Sequence, residues 1–204
     1  MSIKSVLKSV IGSGGSVNEK DSVNALLRLI SKGNEGALDN FMEMYSKKLY
    51  VYAVSIVKYS EIAEEVVSDV FLEVWRNRSG ILQIERINSW LYTVTYNKAI
   101  SRLRSEKRHI DNLPIDGFEP FMFPSTSTPV DSLISQEEVT ALQVAIDDLP
   151  PKCRHVFYLA KYEEMPYNEI SKMLGISVAT VNYHVGYAMK HLKTRLRGIN
   201  VKET

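Results

Sequence analysis

Apolar residues recur at the spacing of an α-helix along much of the chain. From Ala37 to Lys58 they form an i, i+3, i+4, i+7 stripe, which predicts a long helix with one buried side. The residues of this stripe are Leu38, Phe41, Met42, Tyr45, Leu49, Tyr52, Ala53 and Ile56. A shorter helix is predicted before it, capped by Asp21 or Ser22 and ended by Gly33. Its expected buried residues are Ala25, Leu26, Leu29 and Ile30.

The next predicted helix, Glu61 to Arg76, has an unusual outer side. Its inner side is apolar, whereas its outer side carries only acidic charges, and no Lys or Arg occurs between Tyr59 and Trp75. Helical spacing places Glu65, Ser68, Asp69 and Leu72 on one strip. A leucine among carboxylates suits a docking face for a basic protein surface, although a solvated helix side is the simpler interpretation.

A third long helix is predicted after a loop from Asn77 to Asn88, with Ser89 as its N-cap. Here the sign of the charge is reversed, because the segment from Leu91 to His109 contains five cations and a single acid. Trp90, Tyr92 and Tyr96 lie upstream of most of these cations. Aromatic rings beside a basic track favour binding to single-stranded nucleic acid, although a lone Trp on a helix is more often part of a core.

The segment from Met165 to Leu196 predicts a helix-turn-helix. Gly175 suits the left-handed turn after the first helix, and Ser177 suits the N-cap of the second. The residues expected to face the core are Ile170, Met173, Leu174, Val181, Val185, Ala188 and Leu192. No Asp or Glu occurs from Ser171 to Lys202, whereas Lys and Arg are frequent, which suits phosphate contact. The second helix of this motif is the one that usually enters the DNA major groove.

Composition changes between these helical parts. Pro114, Pro120, Pro124 and Pro129 fall in one short stretch, which predicts a linker. A helix is then expected from Asp131 to Asp148, and Pro150 and Pro151 begin the next one. The single cysteine, Cys153, excludes an internal disulfide and a cysteine-based zinc cluster. No cofactor or metal is expected. No apolar run has the length of a membrane span, and a cytoplasmic location is expected.

Three motifs in this order resemble the extracytoplasmic-function (ECF) class of bacterial sigma factors. AEEVVSDVFLEVW at Ala63 to Trp75 is similar to the polymerase-binding helix of that family, and WLYTVTYNKAISRLR at Trp90 to Arg104 is similar to its promoter-melting helix. The third motif runs from DDLPPKCRHVF into EIS-LG-S-ATV. The resemblance implies an all-α fold with two small modules: region 2 at 21–108 and region 4 at 131–197. They are joined by a linker at 109–130 and flanked by tails at 1–20 and 198–204.

The resemblance also implies roles for individual residues. Core RNA polymerase would contact Glu64, Glu65, Ser68, Asp69 and Leu72. The minus-ten element of promoter DNA would contact Trp90, Tyr96, Asn97, Lys98, Arg102 and Arg104, and the loop from Ser79 to Asn88 would capture a flipped base. The minus-thirty-five element would contact Ser177, Thr180, Asn182, Tyr183, His184, Tyr187 and Lys190. Many members of the family are also held inactive by an anti-sigma factor.

The sequence departs from the family pattern at several of these positions. Ser68 replaces the usual Gln on the docking strip, and Asn182 and Tyr187 stand where many members carry Lys or Arg. Phosphate contacts are therefore expected to shift toward Lys190 and Lys193.

Two other classes of function compete with this interpretation. A stand-alone helix-turn-helix regulator would explain the C-terminal motif but would leave the acidic and basic helices without a role. An enzyme would need a phosphate loop, a metal motif or a nucleophile signature, none of which occurs in the sequence. The sequence therefore predicts a transcription factor and not an enzyme.

Overall fold

Eight α-helices account for most of the residues that the computed structural model describes, which are 17–109 and 136–197. These residues fall into two compact units, one from each range. No strand occurs within either range. The prediction of an all-α fold with two modules is confirmed. The Pro-rich linker, its phenylalanines and most of the two predicted tails lie outside the described residues.

The N-terminal module contains four helices: α1 (Val17–Ile30), α2 (Glu35–Val57), α3 (Ser60–Arg76) and α4 (Ile87–His109). Helix α2 begins after Asn34, whose side-chain oxygen accepts a hydrogen bond of 2.8 Å from the backbone N–H of Ala37. It ends at Lys58, which adopts a left-handed conformation with φ of 66° and so turns the chain into α3.

Aromatic side chains at helix crossings fill the core of this module. The ring of Phe41 on α2 packs edge-on against Phe71 on α3, with centroids 6.5 Å apart. Tyr52 on α2 packs in the same way against Tyr92 on α4, at 4.8 Å. Full burial of a side chain of this size contributes about 2 kcal/mol or more to stability. These contacts pack both α3 and α4 against α2, and α3 and α4 also pack on each other.

Two predicted helix starts in this module are wrong. Helix α1 begins at Val17 and not at Asp21 or Ser22. Helix α4 begins at Ile87, so Ser89 lies inside it and is not its cap. The predicted loop before α4 also contains a short 3-10 turn, Ile81–Gln83, in which Ile81 is fully buried and anchors the segment to the module.

The buried face of α1 differs from the prediction as well. Val23, Leu27 and Ile30 are buried, whereas Leu29 is 45% exposed and Ala25 is exposed. Two apolar stripes overlap in the sequence ALLRLI, and packing against α2 selects the one that includes Leu27.

The C-terminal module contains α5 (Gln136–Asp147), α6 (Pro151–Phe157), α7 (Tyr167–Leu174) and α8 (Val178–Arg197). Pro151 occupies the first turn of α6, where its missing N–H costs nothing, as predicted. Helix α6 continues into a π-helical turn, Tyr158–Tyr162, which closes with a bond from the N–H of Glu163 to the carbonyl of Tyr158.

Helix α8 forms the centre of this module and packs against both α5 and α6. Between those two helices, the buried guanidinium of Arg154 donates to the carbonyl oxygens of Asp147 and Leu149. These carbonyls belong to the end of α5 and the turn after it, which would otherwise lack partners. Arg154 thus joins the end of α5 to the start of α6.

Candidate protein and nucleic-acid interfaces

The outer side of α3 presents an exposed acidic strip, which we define as Glu61, Glu64, Glu65, Ser68, Asp69 and Leu72. Leu72 is 51% exposed, although the opposite side of the same helix is buried through Val66, Val70 and Val74. Glu64 and Glu65 are exposed and Asp69 is half-buried. The structure therefore brings together all five residues that the sequence predicted for polymerase contact, with an apolar side chain among carboxylates.

Cations from α4 reach this strip, which the sequence did not predict. The guanidinium of Arg102 lies 3.0 Å from a carboxylate oxygen of Glu65 and 3.2 Å from one of Asp69. The ammonium of Lys98 lies 3.6 Å from a carboxylate oxygen of Glu73, which is also on α3. Two of the cations predicted for DNA contact are therefore paired with carboxylates of α3.

A cleft of about 640 Å³ opens between the end of α3, the 3-10 segment and the first half of α4. The residues that line it are Glu73, Asn77, Gly80, Gln83, Ile84, Trp90, Val94, Asn97 and Lys98. Trp90, Asn97 and Lys98 of the predicted minus-ten set thus share one cavity with the predicted base-capturing loop. The cleft offers an aromatic ring and amide groups, together with the ion pair between Lys98 and Glu73. A ring for stacking and amides for hydrogen bonding are what an unpaired base requires.

Trp90 is half-buried, so its side chain is partly packed against the module and partly accessible from the cleft. A hydrogen bond holds the start of its helix, because the hydroxyl of Tyr45 on α2 donates to the side-chain oxygen of Asn88 at 2.7 Å. Two residues of the predicted set lie further along α4. Tyr96 is half-buried, and burial raises the pKa of its hydroxyl, an effect that the charge of Arg104 partly opposes. Arg104 itself is exposed.

The helix-turn-helix has the local geometry that the sequence predicts. Gly175 ends α7 in a left-handed conformation with φ of 65°, a region that favours glycine. The hydroxyl of Ser177 then accepts a hydrogen bond of 3.0 Å from the N–H of Thr180 and caps α8. The predicted inward residues of α8 are all buried: Val181, Val185, Ala188 and Leu192.

The outer face of α8 is aromatic near its middle and cationic toward its end. Tyr183 is 65% exposed and Tyr187 is 41% exposed, with ring centroids 6.4 Å apart. Asn182 is also exposed, and its amide donates to the carbonyl of Val178 at 3.2 Å. Lys190 and Lys193 are exposed, and no ion pair engages either of them among the described residues. Such a face can meet base edges through its rings and phosphates through its lysines.

His184 is half-buried, as is Thr180, whereas the other predicted minus-thirty-five contacts are exposed. Its Nδ1 atom lies 3.0 Å from the Sγ atom of Cys153 on α6. Burial, and then the charge of Lys152, lower the pKa of its imidazole. Local spacing cannot predict this contact, because the two residues are 31 positions apart.

The described residues contain no group of three or more His, Cys, Asp and Glu side chains placed to hold a metal ion. In the same part of the chain, none of the helices combines the length and the apolar character that crossing a lipid bilayer requires.

Comparisons with known proteins place both modules in one family. The family profile described as Sigma-70 region 2 matches residues 41–109, and the profile described as Sigma-70, region 4 matches residues 140–192. The ECF RNA polymerase sigma factor SigK of Mycobacterium ulcerans is 26% identical over 183 residues, which cover 89% of this chain and 97% of the relative. The ECF RNA polymerase sigma factor SigW of Bacillus subtilis is 25% identical over 179 residues, which cover 85% of this chain and 96% of the relative.

Solved structures share the fold. CnrH, in complex with the cytosolic domain of CnrY, matches with a TM-score of 0.51 and 20% identity over 87% of this chain and 98% of that one. RpoE from Bartonella quintana, in complex with the anti-sigma factor NepR, matches with a TM-score of 0.51 and 18% identity over 78% of this chain and 96% of that one.

A helical region 2 followed by a region 4 with a helix-turn-helix defines the sigma-70 class of transcription initiation factors. Within that class, the chain belongs to the ECF sigma factors. The predictions of an alternative sigma factor, and of a transcription factor in place of an enzyme, are confirmed by this membership.

Proposed function

We propose that the N-terminal module binds core RNA polymerase through the acidic strip and opens the minus-ten element at the Trp90 cleft, while α8 reads the minus-thirty-five element. The observation that carries the proposal is Leu72, which is 51% exposed within a row of carboxylates. An exposed leucine is unfavourable for a solvated face, but it supplies apolar contact area to a partner whose cations pair with the surrounding acids.

The polymerase contact is tested with a double variant, Glu64→Arg and Leu72→Ala. Both side chains are exposed, and neither substitution removes a carboxylate that is paired with Arg102. We expect the wild type to co-purify with core polymerase and to direct initiation in vitro, and we expect the double variant to do neither. Leu29→Ala is the matched control, because Leu29 is a similarly exposed leucine of the same module and lies on α1.

The proposed strand opening rests on the cleft beside Trp90. An extruded base costs a few kcal/mol of lost stacking and pairing, which stacking on a ring and hydrogen bonds within the cleft can offset. With the protein bound to core polymerase, Trp90→Ala should leave the closed complex intact and reduce the reactivity of unpaired thymines with permanganate. Equal opening by this variant and the wild type would contradict the role of Trp90.

The proposed minus-thirty-five contact rests on the exposed rings and lysines of α8. Tyr183→Ala should lower promoter binding by the holoenzyme and change its preference among minus-thirty-five sequences. Lys190→Gln should weaken binding to all sequences about equally, because a phosphate contact carries no base information.

The competing function, a regulator that acts without polymerase, is separated by the same experiments. Such a protein would shift a duplex operator on its own and would not respond to the Glu64→Arg and Leu72→Ala substitutions. The acidic strip favours the polymerase-dependent function, since it would repel DNA.

We also infer that the chain works in the cytoplasm, where polymerase and promoters are, and that an anti-sigma factor restrains it. The structures of CnrH and RpoE, which have the same fold, are complexes with CnrY and with the anti-sigma factor NepR. The test is purification from the native host, followed by in vitro transcription with any protein that co-purifies. A regulator of this class must abolish initiation when it is added back at equal concentration.

A further inference from the structure

Arg102 contacts the acidic strip and also belongs to the set of residues predicted to bind the minus-ten element. It extends from α4 into a shallow cavity of about 450 Å³ whose other lining residues are all part of the acidic strip on α3. Its two guanidinium nitrogens, Nη1 and Nη2, contact Glu65 and Asp69 at 3.0 Å and 3.2 Å. The same guanidinium also lies on the helix proposed to bind the minus-ten element.

The two roles exclude each other. A cation of the polymerase that approaches Glu65 or Asp69 must compete with Arg102 for the same oxygens. A phosphate that binds Arg102 must likewise draw it away from those carboxylates. Each partner therefore favours the state in which the ion pairs within the module are broken.

We propose that Arg102 is a positioning residue that couples polymerase docking to promoter binding by exchanging its partners. In the free protein its guanidinium lies on Glu65 and Asp69. On docking, a polymerase cation takes its place on these carboxylates, and the released Arg102 binds a promoter phosphate. This inference rests on the proposed function of the acidic strip.

The exposure of the three side chains makes the exchange feasible. The side chains of Arg102, Glu65 and Asp69 are 42%, 59% and 34% exposed, so water and salt screen their attraction. Ion pairs of this kind are easily broken, because the paired state differs little in free energy from the state in which the two side chains are separately solvated. The pairs can hold Arg102 in the free protein without preventing either partner from displacing it.

Coupling of this type is reciprocal. If docking releases Arg102 for DNA, promoter DNA must also tighten the binding of the polymerase by the same factor. A purely structural ion pair predicts no such effect, since its loss would weaken docking or leave it unchanged.

The test compares Arg102→Gln with Arg104→Gln. Arg104 is a matched control, because it is an exposed cation on the same helix and, among the described residues, no ion pair joins it to α3. Both variants lose one positive charge. Circular dichroism and thermal unfolding establish that both are folded.

The first readout is the affinity of each protein for core polymerase without DNA, at one salt concentration. We expect Arg102→Gln to bind about twofold to fivefold more tightly than the wild type, since docking no longer breaks the two ion pairs. Arg104→Gln should bind as the wild type does. Unchanged or weaker binding by Arg102→Gln would overturn the proposal.

The second readout is the coupling itself. Promoter DNA should tighten core binding less for Arg102→Gln than for Arg104→Gln. Each variant loses one phosphate contact, so the slope of log K against log salt concentration for promoter binding by the holoenzyme should become shallower by about 0.9 in both. Equal coupling in the two variants would also overturn the proposal. Failure of the wild type to bind core polymerase would instead refute the proposed function, so the two failures are distinguishable.

Discussion

The Sγ atom of Cys153 lies 3.0 Å from the Nδ1 atom of His184, and this contact joins α6 to α8, the helix proposed to read DNA. Burial raises the pKa of the Cys153 thiol, so the thiol keeps its proton at neutral pH and can donate it to the imidazole. This contact therefore ties the side chain of His184 to α6.

The reactivity of this thiol follows from its burial. Cys153 is 5% exposed and is the only cysteine in the chain, so a disulfide reagent reports on it alone. At pH 8 we expect the folded protein to react with such a reagent roughly a hundredfold more slowly than the protein in guanidinium chloride, because thiolate formation and access are both suppressed. His184→Ala should increase the rate in the folded protein. Equal rates in the folded and unfolded protein would show that the thiol is exposed.

The C-terminal module should lose stability in mild acid. His155 is buried, and burial lowers the pKa of its imidazole to about 4. The unfolded chain binds a proton near the ordinary pKa of 6.5, whereas the folded chain does not, so the free energy of unfolding falls as the pH decreases below 6.5. The expected loss is about 2 kcal/mol between pH 7 and pH 5.

This loss is measured by urea denaturation at several pH values, and His155→Gln is the control. The variant is less stable at pH 7 because the site is packed around an imidazole, but its stability should change less between pH 7 and pH 5. A slope equal to that of the wild type would assign the pH dependence to other groups.

The cap of α8 is expected to control the start of this helix, which is proposed to read DNA. Ser177→Ala removes the acceptor for the N–H of Thr180 and should cost about 1 kcal/mol. Amide hydrogen exchange at Thr180 should accelerate about fivefold, and promoter binding should weaken. Ser177→Asp keeps an acceptor and should retain the slow exchange, so similar rates in the two variants would show that the cap is not the cause.

The hydrogen bond from Tyr45 to Asn88 is expected to support the Trp90 cleft. Tyr45→Phe should lower the free energy of unfolding by about 1 kcal/mol and reduce strand opening, because Asn88 precedes Trp90 by two positions on α4. Tyr50→Phe removes a hydroxyl from the same helix, α2, and should leave strand opening unchanged. Loss of opening in both variants would point to a general effect of destabilising α2.

The sequence predicted most reliably what depends on one helix alone. The buried residues of α8, the left-handed Gly175 and the Ser177 cap are all set by local spacing and backbone preference, and all three agree with the structure. The exposed position of Leu72 is of the same kind, because helical period alone places it beside Asp69.

The contacts between remote residues could not be predicted in this way. Arg102 and Asp69 are 33 positions apart, and only the packing of α4 on α3 brings the charges together. The period of a helix says which side chains share a face, but not which other helix that face meets. For the same reason the sequence predicts DNA contacts for Arg102 and Lys98 but not their pairing with carboxylates of α3.

The π-helical turn at Tyr158–Tyr162 has a consequence for sequence comparison. A π turn closes between residues i and i+5, so it places one more residue in this last helical turn before Glu163 than an α turn would. Related chains that lack this extra residue should have an unbroken α-helix there. In alignments we expect a single-residue gap between Phe157 and Glu163, with the helix-turn-helix in register on its far side.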